Sequence, residues 1–476
     1  MKFILFCVHS TGLAVAIASG AALPIALIFP SLGRSVFAQT LPETQADSVP
    51  VPDFLNPDPN PLQLPIQPQE VKIQRTQPIT LAEALELAKR NNRELQVAIL
   101  ELERSRSALR ESQAVLSPNI GVNTNLTKSG QDFIGSGSQT RTSFNSQAQI
   151  NYDLFNSGRS IRVAEERLRI DELDVENRTL EVRLNVTTQY YDLQEADEQV
   201  RINQSAVENA QASLRDAQAR ERAGVGTRFD VLQSQVNLAN AQQGLTNSLA
   251  QQQIARREFA SFLNLAQSVD ISAADAVQEA GVWEPTLEES IVQAFQNRPE
   301  LPQFLAQRNI SELERRQALS RLSPQFSLNG NYNIVDQFDD GQSLTDGYSV
   351  GIRASLTLFD GGAAKANAAQ SKINIAIAES QFASQRDQIR FNVEQFYAQL
   401  QSNSENIKTS TVALDQAREA LRLARLRFEA GVGTQTDVIF AENDLTRSEG
   451  NRVTAILNYN RALANLQRTV TFRSVR

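Results

Sequence analysis

The sequence predicts an α+β membrane protein, internally duplicated, in which each chain gives four strands to a trimeric, twelve-stranded β-barrel continued by a long α-helical coiled-coil barrel. Three observations carry this reading. The chain repeats itself at a period near 206 residues, it contains proline-free heptad stretches far longer than a globular domain needs, and paired segments of strict alternation occur at equivalent points of both halves.

At the N-terminus, Lys2 precedes a long apolar stretch interrupted by Gly12, Gly20 and Pro24 that ends in Val36-Phe37-Ala38 before Gln39. Small residues at Val36 and Ala38 suit signal-peptidase cleavage, and Pro24, Pro30 and Arg34 break the run before a full membrane span is established. Residues 1–38 are therefore expected to be an export signal rather than a retained helix. Removing them takes away Lys2 and Arg34, which leaves 44 of the 46 basic residues against 54 acidic ones and a formal charge of −10. That balance excludes nucleic acid as a partner. Met1, Cys7 and His9, the only methionine, cysteine and histidine of the chain, go with them. Zinc, copper and haem sites, Ser-His-Asp triads and cysteine nucleophiles all draw on those side chains, so no metal, no cofactor and no enzyme activity is expected. Cys7 lies too early to carry a lipid anchor.

Residues 39–78 hold nine of the sixteen prolines, with polar spacers such as Asn56-Pro57-Asp58-Pro59-Asn60-Pro61, and are expected to form an extended periplasmic arm with linker character. The first repeat covers 79–270, a linker 271–285, and the second repeat 286–476. Thr80-Leu81 through Glu94-Leu95 returns as Thr286-Leu287 through Glu300-Leu301, and Ala223-Gly224-Val225-Gly226-Thr227 with Asp230-Val231 returns as Ala430-Gly431-Val432-Gly433-Thr434 with Asp437-Val438.

Each half reads as a short helix, two strands, a very long helix and a further helix. The long helices are expected at 158–222 and 362–429, where proline is absent. In the first, Leu193, Ala196, Val200, Asn203, Val207, Ala210, Leu214 and Ala217 recur at spacings of three and four, and Leu400 through Ala424 repeat the seam. A helix of about 65 residues spans on the order of 100 Å at about 1.5 Å per residue. The returning helices, 228–266 and 435–469, and the leading ones are each near half that length, so two stacked end to end match one long helix.

Strands are expected at 119–128 and 141–155, and again at 324–336 and 346–359. Ile120, Val122, Thr124 and Leu126 share one face against Asn119, Asn123 and Asn125, and Tyr348, Val350, Ile352 and Ala354 oppose Ser349, Arg353 and Ser355. A soluble sheet packed on helices would show the same alternation. The polar faces, however, are nearly pure Asn, Gln and Ser, as a hydrated lumen requires. Four strands cannot close a barrel in lipid, where open edges are not tolerated, and three copies are the smallest number that leaves a water-filled bore.

The duplicated order of helix, strand pair, long helix and Gly-x-Gly-Thr turn, with Leu116-Ser117-Pro118 and Leu322-Ser323-Pro324 before the strands, resembles the TolC family of outer-membrane efflux proteins. So do Leu154-Phe155-Asn156-Ser157-Gly158 and Leu358-Phe359-Asp360-Gly361-Gly362 after the strands, and the likeness covers about residues 79–470. It implies a homotrimer in outer-membrane lipid, with the helical barrel in the periplasm, serving as exit duct of a tripartite efflux pump or a type I secretion system. It also implies a periplasmic adaptor protein and an inner-membrane transporter of RND, ABC or MFS type as partners. A structural coiled-coil protein of the cell envelope would explain the heptads but not the paired strands.

In their own right, Gly224 and Gly226 can end one helix and Thr227 can cap the next, with Asp230 completing a capping box; Gly431, Gly433, Thr434 and Asp437 repeat this. The resemblance further implies that Gly224, Val225, Gly226, Thr227, Gly431, Val432, Gly433 and Thr434 contact adaptor hairpins, and that Asp437, with Phe440 and Asp230, forms the periplasmic gate. The family often has a second acid where this chain has Phe440, which points to a hydrophobic constriction or a weaker electrostatic one.

Overall fold

The computed structural model describes residues 52–470, apart from 58, 59, 61, 63, 134–136, 155–157 and 339–343. The expected export signal lies outside them. Along the chain run β1 (Arg75–Ile79), α1 (Leu81–Asn91), α2 (Arg93–Ala114), β2 (Asn119–Phe133), β3 (Gly137–Asp153), α3 (Gly158–Arg222), α4 (Arg228–Phe262) and β4 (Val269–Ala273). The second half follows with α5 (Leu287–Asn297), α6 (Glu300–Ser320), β5 (Gln325–Gln337), β6 (Thr345–Ser355), α7 (Ala363–Glu429) and α8 (Gln435–Val470).

The leading helix of each half is broken, where the sequence reads as one. Asn92 leaves the helical region at φ −66°, ψ 123° and its side chain accepts the Leu95 amide, which starts α2 afresh. Arg298 adopts φ −66°, ψ 122° because Pro299 follows it and disfavours helical backbone in the residue before. Thr80 with Glu83 and Thr286 with Glu289 form capping boxes at the starts of α1 and α5.

Two segments expected to be linkers are partly folded. Within the proline-rich arm, β1 pairs in parallel with β4, and Leu55 of a one-turn 3-10 helix is buried in the same core. The strands also differ in length from expectation. The β2–β3 ladder continues to Phe133 opposite Gly137, because polar side chains do not stop backbone pairing. By contrast β6 ends at Ser355, ahead of a turn in which Gly361 and Gly362 take φ of 69° and 90° and the Asp360 carboxylate accepts the amides of Gly362 and Ala364.

The four-stranded sheet is antiparallel throughout, in the order β2-β3-β5-β6. Its register keeps the two faces chemically distinct. Val122 lies opposite Ala148, which lies opposite Tyr332, which lies opposite Tyr348. On the other face Gly121, Gln149, Asn331 and Ser349 form one rung, and Gln147 and Asn329 bond across it to Asn331 and Asn151 at 3.2 and 3.1 Å. On the apolar face, a Cβ at Gly330 would fall 2.7 Å from Ile150 Cγ2, so the isoleucine fills the gap that glycine leaves.

Helices continue both ends of the pattern. Beside the sheet they pack in the order α2-α3-α6-α7, and on the far side in the order α4-α3-α8-α7, with α3 and α7 running through both layers. At the junction of the layers, Tyr190 of α3 is fully buried, edge-on to Phe259 of α4. Its hydroxyl lies 2.7 Å from Asp275 Oδ2 and 3.0 Å from the Ile79 carbonyl, and accepts the Asp275 amide. Burial raises its pKa well above the ordinary phenol value, so it remains a neutral donor. Tyr190→Phe strands the Asp275 amide, and a loss of about 1–3 kcal/mol is expected, read as a lower thermal unfolding midpoint in detergent.

Candidate functional site: the helix tips

The end of the helical layers remote from the sheet is made by two near-identical turns. Gly224 takes φ 75° and Gly431 φ 77°, the left-handed conformation that closes a helix. Val225 N donates to Arg220 O at 3.0 Å and Gly224 N to Glu221 O at 3.0 Å; Val432 N donates to Arg427 O at 2.9 Å and Gly431 N to Phe428 O at 3.1 Å. This is the bond pair of a Schellman motif. The second glycine of each turn has another reason. A Cβ on Gly226 would meet Arg220 Cβ at 2.9 Å, and one on Gly433 would meet the Arg427 backbone at 3.1 Å, so the chain can fold back this tightly only without side chains.

Between the glycines, Val225 and Val432 project into solvent. Thr227 and Thr434 then start α4 and α8. Asp230 Oδ2 accepts the Thr227 amide at 3.0 Å and its hydroxyl at 2.7 Å, and Asp437 Oδ2 accepts the Thr434 amide at 3.0 Å. The Thr434 amide and hydroxyl, and then Arg427, hold the Asp437 carboxyl below the usual aspartate range. Asp437 and Phe440 are both exposed and sit three residues apart on one face of α8, whereas Asp230 is half-buried on α4. The two turns are tied together: Thr436 Oγ1 donates to Gln233 Oε1 at 3.0 Å, and the Arg220 guanidinium stacks 4.5 Å above the Phe428 ring.

Behind the tips lies a polar knot. Glu442 of α8 is 5% exposed and takes the Ser213 hydroxyl at 2.7 Å from α3, Arg425 at 3.2 Å from α7, and the Asn237 amide at 3.5 Å from α4. One carboxylate therefore joins all four helices. The sequence carried a signal for it: Gln435, Val438, Glu442 and Leu445 follow one helical phase, and an acid in phase with buried residues is not a solvated-face residue.

A sheet with one exposed apolar face and one amide-lined face, set on helical layers of this length, defines a channel-type outer-membrane protein rather than an enzyme. A family model described as outer membrane efflux protein matches residues 84–265 and 290–470, once in each half, and the chain belongs to this family. It is 28% identical over 193 residues to the outer membrane protein TolC of Vibrio cholerae, covering 37% of this chain and 43% of that protein. It is 24% identical to the cobalt-zinc-cadmium resistance protein CzcC of Cupriavidus metallidurans, covering 80% of this chain and 86% of that one. The crystal structure of CusC shares the fold with a TM-score of 0.74 at 16% identity, over 83% of this chain and 93% of that chain.

Proposed function

We propose that the protein is the exit duct of a tripartite efflux pump or type I secretion system, a homotrimer whose twelve strands cross the outer membrane and whose helices enclose a periplasmic conduit. In this reading an adaptor protein docks on Gly224–Thr227 and Gly431–Thr434, an inner-membrane transporter loads the duct, and Asp437 with Phe440 and Asp230 narrows its entrance.

The observation that carries the ring is that each layer leaves the same two edges open. These are β2, α2 and α4 on one side and β6 and α7 on the other. Every junction between the two halves of one chain has a counterpart at those edges. The Gln303 side chain reaches the Ile170 carbonyl where α6 meets α3. Shifted by the repeat, that contact becomes Val97 of one copy against Ile377 of the next, and both are exposed apolar residues. Likewise Tyr332 opposite Ala148 becomes Leu126 opposite Ile352 of the neighbour, both on the apolar face. Eight strands would nearly fill their own interior, and twelve leave a bore.

Single-channel recording tests this. Wild type is expected to give cation-preferring openings in a planar bilayer, and Asp437→Ala to lower the cation-to-anion permeability ratio severalfold, read from the reversal potential in a salt gradient. Because the folded carboxyl titrates below the usual value of about 3.9, the preference should persist at pH 4 and fade only as pH drops through the lowered pKa. A preference lost already near pH 6 would assign selectivity to another group. Cargo choice in this reading rests with the inner-membrane transporter.

A further inference from the structure

We propose that Phe229 of one copy packs against Phe440 of the next copy at the helix tips, so that an apolar clasp closes each seam of the ring. This rests on the ring assembly proposed above and gives Phe440 its partner there. Within one chain the two repeats meet at the tips through Thr436 of α8, whose hydroxyl donates to the Gln233 side chain of α4 at 3.0 Å. The duplication aligns Gly224 with Gly431, so one step along the ring carries Gln233 to Phe440 and Thr436 to Phe229 of the next copy. Both phenylalanines are exposed within their own chain, Phe229 at 69% and Phe440 at 65%. A junction that threonine and glutamine side chains span in hydrogen-bond contact has the width for two rings, which pair favourably at centroid separations of about 4.5–7 Å.

The rest of the seam changes in the same direction. Glu442, which ties α8 to α3, α7 and α4 inside the chain, has Gln235 as its counterpart, and its partners Ser213 and Arg425 have Ala420 and Gln218. The carboxylate and guanidinium of the internal junction thus give way to neutral side chains at the seam, and apolar surface accompanies them. Phe229, Leu232 and Val236 form an exposed stripe on α4, whereas Ile439, the α8 counterpart of Leu232, is buried inside its own chain. On α7, Val412, Ala420 and Leu423 line a shallow groove. Because Ser213 touches α8 within the chain, its counterpart Ala420 marks where α4 of the next copy sits, and the exposed stripe meets this groove. Charge agrees with the same placement: Arg220 over the Phe428 ring becomes Arg427 facing Glu221 of the next copy, a pair of opposite sign.

Cross-linking tests the clasp. In a background with Cys7→Ser, which removes the only cysteine, Phe229→Cys and Phe440→Cys are combined in one chain, and the assembled protein, extracted in detergent, is treated with a short bis-maleimide. Linked species of two and three chains are expected on a denaturing gel, at least fivefold above either single-cysteine variant. Light scattering on the same sample before treatment reads the ring by itself. Three chains per particle without linked species overturns the clasp and leaves the ring standing, whereas one chain per particle overturns both. Links confined to single chains, seen as a faster-running monomer, also overturn the clasp. As a second readout, Phe229→Ser and Phe440→Ser should each lower the temperature at which the oligomer dissociates, and the double variant should lower it little further than either alone. Fully additive losses would again overturn the clasp.

Discussion

Arginine at Val350 is expected to abolish assembly in the outer membrane, whereas arginine at the adjacent Ser349 should leave it intact. Val350 is 75% exposed at the middle of β6, on the face that carries Ile150, Leu328 and Ile352. Ser349 points the other way, into the rung of Gly121, Gln149 and Asn331. In a membrane barrel, a cationic side chain on the lipid face near the midplane costs about 2–4 kcal/mol, while a lumen-facing one meets water. Three copies share one barrel in the proposed assembly, so the lower figure already amounts to about 6 kcal/mol, or a factor on the order of 10⁴ in the assembled population. The yield of heat-resistant oligomer in the outer-membrane fraction measures it. Equal yields from the two variants would show that the apolar face does not meet lipid.

The second large effect is expected at Glu442→Ala. Truncating a buried, paired carboxylate is typically worth about 3–5 kcal/mol, but Arg425 is partly solvated, so about 2–3 kcal/mol is the appropriate expectation here. The loss should be local. Ser213, Asn237 and Arg425 all lie near the tips, so protease cleavage should accelerate in 205–240 and 415–445 before the rest of the helices yield. Glu442→Gln keeps an acceptor for Ser213 and should lose about 1 kcal/mol. Uniform proteolysis along the helices of Glu442→Ala would show that the knot does not fix the tips in particular.

Which parts were legible follows from how far each signal reaches along the chain. Helix periodicity, proline exclusion and strand alternation are local, so α3, α7 and the two strand faces could be read directly from residues such as Leu193, Leu400, Ile120 and Val350. The turns were legible for the same reason, since Gly224 and Gly431 need a left-handed backbone whatever surrounds them. Contacts between distant segments were not. The β1–β4 pairing joins residues near 75 to residues near 270, and nothing in Arg75–Ile79 names its partner. The break at Asn92 does not show in the sequence, because an asparagine within a helical pattern is tolerable and only the fold turns its side chain into the cap of α2. By sequence Gly226 and Gly433 are expected to end a helix, whereas the structure gives them a steric role against the preceding helical turn.

The amide-lined face of the sheet has a consequence for traffic. Asn, Gln and Ser offer donors and acceptors to any polar solute, and those groups are already partly satisfied by one another, as Gln147 with Asn331 and Asn329 with Asn151 show. A molecule moving along such a surface trades one weak contact for an equal one at each step. In the proposed barrel its free-energy profile is nearly flat along the amide rungs, and a barrier that depends on its sign arises only where Asp153, Arg353 and Arg141 join that face. Transit along the amide rungs would then be ordinary diffusion, and a single conduit could discharge neutral molecules of unlike shape at similar rates.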